Sequence, residues 1–305
     1  MDGRGRRVFE LIATSWPRPV GGNSIGVNMI LMRRLSCYLA LALMISSSPR
    51  AKAQADPFKS FYMHNYYDSS LVDFRTDFKK YLFTQSAKSI DLTDTIRSYD
   101  LSKVWQSGKF CSSGVLGTDY RRIDIYISSV RRDRHHSNRY ILRGKSRVRK
   151  TIRSFVGRIQ IVRAYRYSAA SSEAPPNGAS LMALYIFRED SLLAHTGTFD
   201  GVLSSDLVLE PLTHTAYLDT SLIVADGYTN NVFVGIWTGH RSLNIKKCIW
   251  ADGRLPFTFD FDVGDGEMEV NRKYVGNGWQ TFNDRTDVVY DDSTKQFIPA
   301  DPWWR

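Results

Sequence analysis

Cysteine is scarce in this chain, with three in 305 residues, and histidine is little commoner, with six. No apolar run is long enough to span a bilayer. A spanning helix needs roughly 20 consecutive apolar residues, and the most apolar stretch, residues 35–45, falls well short of that. The spacings that bind zinc or build a nucleophile are missing too. His64, His195, His214 and His240 stand isolated, and the adjacent His135 and His136 do not converge on one ion. No internal repeat divides the chain. These absences exclude a helical span in the mature chain and any site recognisable from a metal or nucleophile motif; no metal or cofactor is expected.

What is present begins with an address. Met32-Arg33-Arg34 leads into an apolar core from Leu35 to Ile45, and Ala51-Lys52-Ala53 supplies a small-x-small site. These are the three parts of a secretory signal peptide, so residues 32–53 are expected to direct export and to be removed before Gln54. Residues 1–31 then read as an extension from a mis-assigned start, with translation beginning at Met29 or Met32. The expected place of work is the periplasm, the cell surface or the medium.

The signal also changes the meaning of the charge. Residues 1–53 hold eight of the 41 Arg and Lys but only Asp2 and Glu10 among the 31 acids, which leaves 33 basic and 29 acidic residues after cleavage. The overall charge of +10 is therefore mostly targeting sequence, and a nucleic-acid partner is not expected. The rest is polarised: residues 121–166 carry fifteen Arg or Lys against Asp124 and Asp133. Such a field steers an anionic partner, here an anionic glycan, lipopolysaccharide or another envelope component. A solvated face offset by the acidic second half of the chain is the plainer alternative. Cys111 and Cys248 are left in an oxidising compartment, where they form one disulfide or remain two buried thiols. Closing so long a loop stabilises a fold by about 4 to 5 kcal/mol.

Periodicity sets the fold class. Residues 54–110 read as an aromatic lead-in followed by one helix, with Leu71, Phe74, Phe78, Tyr81 and Leu82 on one face and Arg75, Asp77, Lys79 and Lys80 on the other. Residues 111–305 read as a β domain of short β-branched and aromatic runs punctuated by turn residues such as Pro175-Pro176-Asn177-Gly178. Ile123, Ile125 and Ile127 share one strand face, with Asp124, Tyr126 and Ser128 opposite. The next strand sets Arg139, Arg143, Lys145, Arg147 and Arg149 on one face and Tyr140, Leu142, Gly144, Ser146 and Val148 on the other. Further strands are expected at 154–162, 181–187, 197–209, 216–224, 232–238, 244–250 and 257–263. The chain is thus expected to be mainly β, an antiparallel barrel or sandwich, with a lipocalin-like barrel capped by the N-terminal helix preferred.

Two surfaces are candidates for binding: the basic stripe of Arg143, Lys145, Arg147 and Arg149, and an aromatic-lined barrel mouth built from Tyr228, Trp237 and Trp250. Asp260, Asp262, Asp265, Glu267 and Glu269 form the densest acidic cluster. It reads as a hairpin turning at Gly264-Asp265-Gly266, with calcium the lesser alternative because the EF-hand glycine position falls on Asp265. The export signal, the Gly114-Val-Leu-Gly117 start, the basic strands and the run 226–256 together resemble uncharacterised secreted β-rich envelope proteins of Bacteroides-type bacteria, over residues 110–279. That resemblance implies an envelope location and brings no activity or site residues. Gly235-x-Trp237 is similar to the Gly-x-Trp of lipocalins but falls late in the chain, so no lipocalin binding residues are carried over. The expected function is an exported, non-enzymatic envelope protein that binds an anionic or amphipathic ligand. The alternative is a secreted hydrolase acting on glycans, its carboxylate pair drawn from Asp200, Asp206, Asp226, Asp252 or the acidic cluster. Sequencing the exported protein from its amino terminus is expected to begin at Gln54; a start upstream of residue 32 would contradict the signal assignment.

Overall fold

A computed structural model describes residues 90–166 and 175–305, all within the compact unit Ser69–Arg305. The expected export signal and the helix expected at 70–82 lie outside the described residues. Strands β1 (Ser112–Leu116), β2 (Arg121–Arg132), β3 (Arg139–Val148), β4 (Thr151–Arg166), β5 (Gly178–Glu189), β6 (Gly197–Glu210), β7 (Thr215–Leu218), β8 (Thr229–Gly239) and β9 (Ile245–Gly253) form one antiparallel sheet. Its order is β5-β4-β3-β2-β1-β9-β8-β6-β7, and β5 also pairs with β6, from Gly178 opposite Val208 to Arg188 opposite Thr198. That pairing closes eight strands into a barrel, with β7 an added short strand on the distal half of β6.

Strand alternation decides what lies inside. Ile123, Ile125, Ile127, Tyr140, Leu142, Phe155, Ile159, Phe187, Phe199, Leu203, Phe233 and Trp250 all belong to the buried interior cluster. The aromatic rings occupy the middle of it: Trp250 stacks on Phe233 at 4.7 Å, Phe155 stacks on Phe187 at 5.1 Å, and Tyr185 meets Trp250 edge-on at 5.3 Å. Small residues make room for these rings. A Cβ on Gly235 would lie 2.1 Å from the Asp200 carbonyl and 2.7 Å from the Tyr185 hydroxyl, and one on Gly144 would lie 2.4 Å from the Phe155 ring.

One end of the barrel is closed by a short helix, α1 (Ser102–Trp105), that follows a 3-10 turn at Thr95–Ser98. The Trp105 indole donates to Ser205 at 3.1 Å and meets Tyr140 edge-on at 5.0 Å. Asn231 ties this plug to the wall, accepting from Ser205 at 2.7 Å and donating to the Val104 carbonyl and to Asp252 at 2.9 and 2.8 Å. Leu92, Ile96, Leu101 and Val104 join the same core, so residues 90–110 are continuous with the β domain.

Beyond β9 the chain runs over the outside through helices α2 (Arg272–Val275) and α3 (Gln280–Asn283) and a ribbon of β10 (Val288–Asp291) and β11 (Gln296–Pro299). Here two expectations fail. Residues 257–263 form no strand but a 3-10 turn at Phe259–Phe261, because the backbone is left-handed at Phe257 (φ 59°) and Phe259 (φ 49°) and drops Phe261 into a buried site. The strand expected at 216–224 stops at Leu218, where the Asp219 carboxylate takes the Ser221 amide and hydroxyl at 2.9 and 2.7 Å and turns the chain. Trp250→Ala empties the centre of the ring cluster and is expected to lower stability by about 3 to 5 kcal/mol, measured by chemical denaturation; a loss under about 1 kcal/mol would mean the interior is not packed as described.

Candidate functional site

The basic stripe of β3 faces outward, as its alternation requires, but its members have different fates. Arg147 donates to Asp124 at 2.8 Å, pairs with Asp301, and lies 4.9 Å from the Trp303 ring. Lys145 donates to the Trp304 carbonyl at 2.8 Å, and Trp304 stacks on Tyr126 at 4.9 Å. Asp124 is buried and also receives Arg122 at 2.9 Å and the Ser113 hydroxyl at 2.8 Å, while Arg122 reaches Thr281, Asp287 and the face of Trp279. A carboxylate held between two guanidinium groups fastens the outer segments to β1, β2 and β3. Arg147 and Lys145 therefore serve this junction. Arg149 leaves the stripe altogether: β3 ends at Val148, and Arg149, at φ 55°, forms the turn into β4.

Arg143 remains exposed, and it has company that the stripe alone does not suggest. Arg158 on β4 lies opposite Ile141 on β3 and Ile186 on β5, so Arg139, Arg143 and Arg188 are its diagonal neighbours, at about 7–8 Å between backbones. Arg139 is paired with Asp133 at 2.8 Å. Neither Arg143 nor Arg158 makes an ion pair or side-chain hydrogen bond among the described residues. Partial burial, then the like charges of Arg139 and Arg188, hold the Arg158 guanidinium below its usual range. Cations gathered with so few acids among them are what an anion with several oxygens would neutralise.

The aromatic candidates do not share a mouth. Trp250 is in the centre of the core. Trp237 faces inward near the end opposite the plug, its indole donating to the buried Glu189 at 3.2 Å. Tyr228 precedes β8 at the plug end, and its hydroxyl donates to the Asp219 carbonyl at 3.1 Å. Nine residues of extended chain separate Tyr228 from Trp237, about 30 Å at strand rise, which spans the barrel.

The cysteines do not pair: both are free. The register sets Cys248 opposite Leu116, so Cys111 lies five positions further along β1, about 17 Å away, and on the other face of the strand, too far for a disulfide. Burial, with Asp124 nearby, pushes the Cys111 thiol up to about 12, and burial also raises Cys248, so neither is poised as a nucleophile.

The carboxylates divide among several partners, and three of them, Asp226, Asp262 and Asp265, gather around Arg254. Residues 260–271 form the expected hairpin, with Asp262 bridged to Val270 and the Val263 amide donating to Glu269. Its acids turn to different cations, Asp260 to Lys273, Asp262 to Arg254 and Glu267 to Arg285. Among the described residues no group of three or more His, Cys, Asp or Glu side chains is placed to hold a metal ion. Asp252 points inward, held by Ser112 and Asn231, whereas Asp200 and Asp206 face outward six positions apart on β6, about 20 Å at strand rise. Asp226 lies in the β7–β8 connection, outside every strand. Asp206 and Asp252 both come near the Tyr228 hydroxyl, and Asp226 sits with Asp262 and Asp265 around Arg254.

No family model, curated protein or solved structure matches this chain. The site therefore rests on its own geometry. Arg158 and Arg188 had no place among the candidates because their nearness to Arg143 is created by the β3–β4–β5 register. The signal in the sequence was only their strand parity.

Desolvation pushes the Asp200 carboxyl up to about 7, with Arg188 opposing. A carboxyl raised in the fold binds its proton more tightly folded than unfolded, so its contribution to stability is full below about pH 4 and is lost as pH rises through about 7. Asp200→Asn is expected to raise the melting temperature more at pH 8 than at pH 4.5; an equal effect at both would contradict the shift.

Proposed function

We propose that the protein is an exported, non-enzymatic barrel that holds an anionic envelope component, a glycan or lipopolysaccharide bearing carboxylate, sulfate or phosphate groups, on the outer face of β3, β4 and β5. The observation that carries this reading is the Arg143–Arg158 pair, without counter-ions among the described residues and flanked by Arg139 and Arg188. An interior filled by stacked rings argues against ligand uptake into the barrel. The export signal and the resemblance to secreted envelope proteins supply the setting.

Retention of the purified protein on heparin and on immobilised lipopolysaccharide tests it. The wild type is expected to bind at low ionic strength and to elute with salt, since exposed charges are screened beyond about 8 Å at physiological salt. The double variant Arg143→Glu, Arg158→Glu is expected to bind about tenfold more weakly, or worse. No retention of the wild type at low salt, or retention unaffected by the double variant, would overturn the proposal.

A further inference from the structure

At the end of the barrel opposite α1, β1 turns into β2, β3 into β4, β5 into β6 and β8 into β9. The β5–β6 connection, residues 190–196, carries two leucines at its tip, and Leu192 is 81% and Leu193 46% exposed. The tip is ordered. The Asp190 carboxylate accepts the Leu192 amide at 2.9 Å, the Leu193 amide donates to the Asp190 carbonyl at 3.2 Å, and the Thr196 hydroxyl donates to the Leu193 carbonyl at 2.9 Å. Neighbouring strands clamp the same turn: Arg153 of β4 donates to the Ala194 carbonyl at 2.7 Å, and Arg241, just after β8, to the Leu192 carbonyl at 2.8 Å. Ile245, the first residue of β9, is 56% exposed at the same end. Single exposed leucines are ordinary, but adjacent ones on a fastened tip rimmed by charge mark a contact surface.

The charge around the leucines is of one sign. Segments 149–153, 190–196 and 240–246 carry Arg149, Lys150, Arg153, Arg241 and Lys246 against Asp190 alone. Arg153 and Arg241 direct their hydrogen bonds to carbonyls, Lys246 lies 5.7 Å from the Trp237 ring, and none of the five makes an ion pair among the described residues. Behind the tip the buried Glu189 is held by the Gly197 amide and the Trp237 indole at 2.7 and 3.2 Å and feels the charge of Arg153. The β1–β2 turn adds no net charge, since Asp119 pairs with Arg121 and Asp260, beside Tyr120, pairs with Lys273. The plug end also exposes apolar residues, Leu212, Leu222, Ile223 and Val224, but residues 210–228 bring Glu210, Asp219 and Asp226 and no Lys or Arg. The barrel is thus polarised along its axis. We propose that the β5–β6 end docks on the surface of an anionic phospholipid bilayer, with Leu192 and Leu193 in the acyl boundary and Arg149, Lys150, Arg241 and Lys246 among the phosphates. Apolar burial and electrostatic attraction add in such contacts, and each Lys or Arg near the surface strengthens them. Arg143 and Arg158 stand on the side of the barrel, about 17 Å or more from this end at strand rise, so the two surfaces are separate.

Flotation of the purified protein with lipid vesicles at low ionic strength tests it. Vesicles of phosphatidylcholine and phosphatidylglycerol in equal parts are expected to carry the protein and to release it with salt, while vesicles of phosphatidylcholine alone are expected to carry little. Leu192→Ser, Leu193→Ser is expected to weaken partition about tenfold or more at an unchanged melting temperature, and Lys150→Gln, Lys246→Gln to weaken it by a similar factor. A polarity-sensitive dye on Leu192→Cys, in a Cys111→Ser chain, is expected to shift to the blue when the mixed vesicles are added, and the same dye on Val224→Cys to stay unchanged. Equal binding to both kinds of vesicle, flotation that survives the leucine variant, or a dye response at Val224→Cys in place of Leu192→Cys would overturn the proposal. So would self-association without vesicles that the leucine variant abolishes, because a second copy would then be the occupant.

Discussion

The pairing of β5 with β6 turns a ribbon of eight strands into a cylinder, and a cylinder has an inside that must be filled. In this protein the filling is aromatic, with Phe155, Tyr185, Phe187, Phe199, Phe233 and Trp250 meeting in one cluster. Such rings need space that only small residues give, and Gly144, Gly157 and Gly235 supply it from three different strands. Closure, ring packing and the glycine positions are thus one constraint. Once the interior is full and one end is plugged by Trp105, the chemistry available to a partner lies on the outer surface.

That surface is divided by electrostatics. Asp124 draws Arg122 and Arg147 into a buried junction with Trp279, Asp287, Asp301 and Trp303, so two of the strongest charges of the basic region act as fasteners. Breaking such a junction by removing its carboxylate would strand two guanidinium groups, which is why it is an unsuitable place for exchangeable contact with a ligand. Arg143, four residues back along β3, and Arg158, on β4, carry no such duty. The same basic segment therefore does two jobs, structural where an acid meets it and available where none does.

Much of this was legible in the sequence because a strand writes its burial with a period of two. The alternation of Ile123, Ile125 and Ile127, and of Tyr140, Leu142 and Gly144 against Arg139, Arg143, Lys145 and Arg147, gave the two faces of β2 and β3 correctly. What local pattern does not carry is register. The distance between Cys111 and Cys248, the clustering of Arg158 and Arg188 around Arg143, and the placement of Tyr228 and Trp237 at opposite ends all depend on which residues stand opposite one another. The failure at 257–263 has a different origin: left-handed backbone at two phenylalanines, which no propensity would suggest. β5 and β8 are buried and apolar on both sides, and such runs hide their period.

Arginine footprinting is the most direct test of the central claim that the exposed guanidinium patch, rather than the interior or the fastened stripe, is where an anionic ligand sits. Modification by phenylglyoxal would be mapped by mass spectrometry with and without heparin or lipopolysaccharide at low salt. Protection of Arg143 and Arg158 by the ligand, with Arg122 and Arg147 equally unreactive in both states, is the predicted result. Unchanged reactivity of Arg143 and Arg158 while ligand is bound would contradict it.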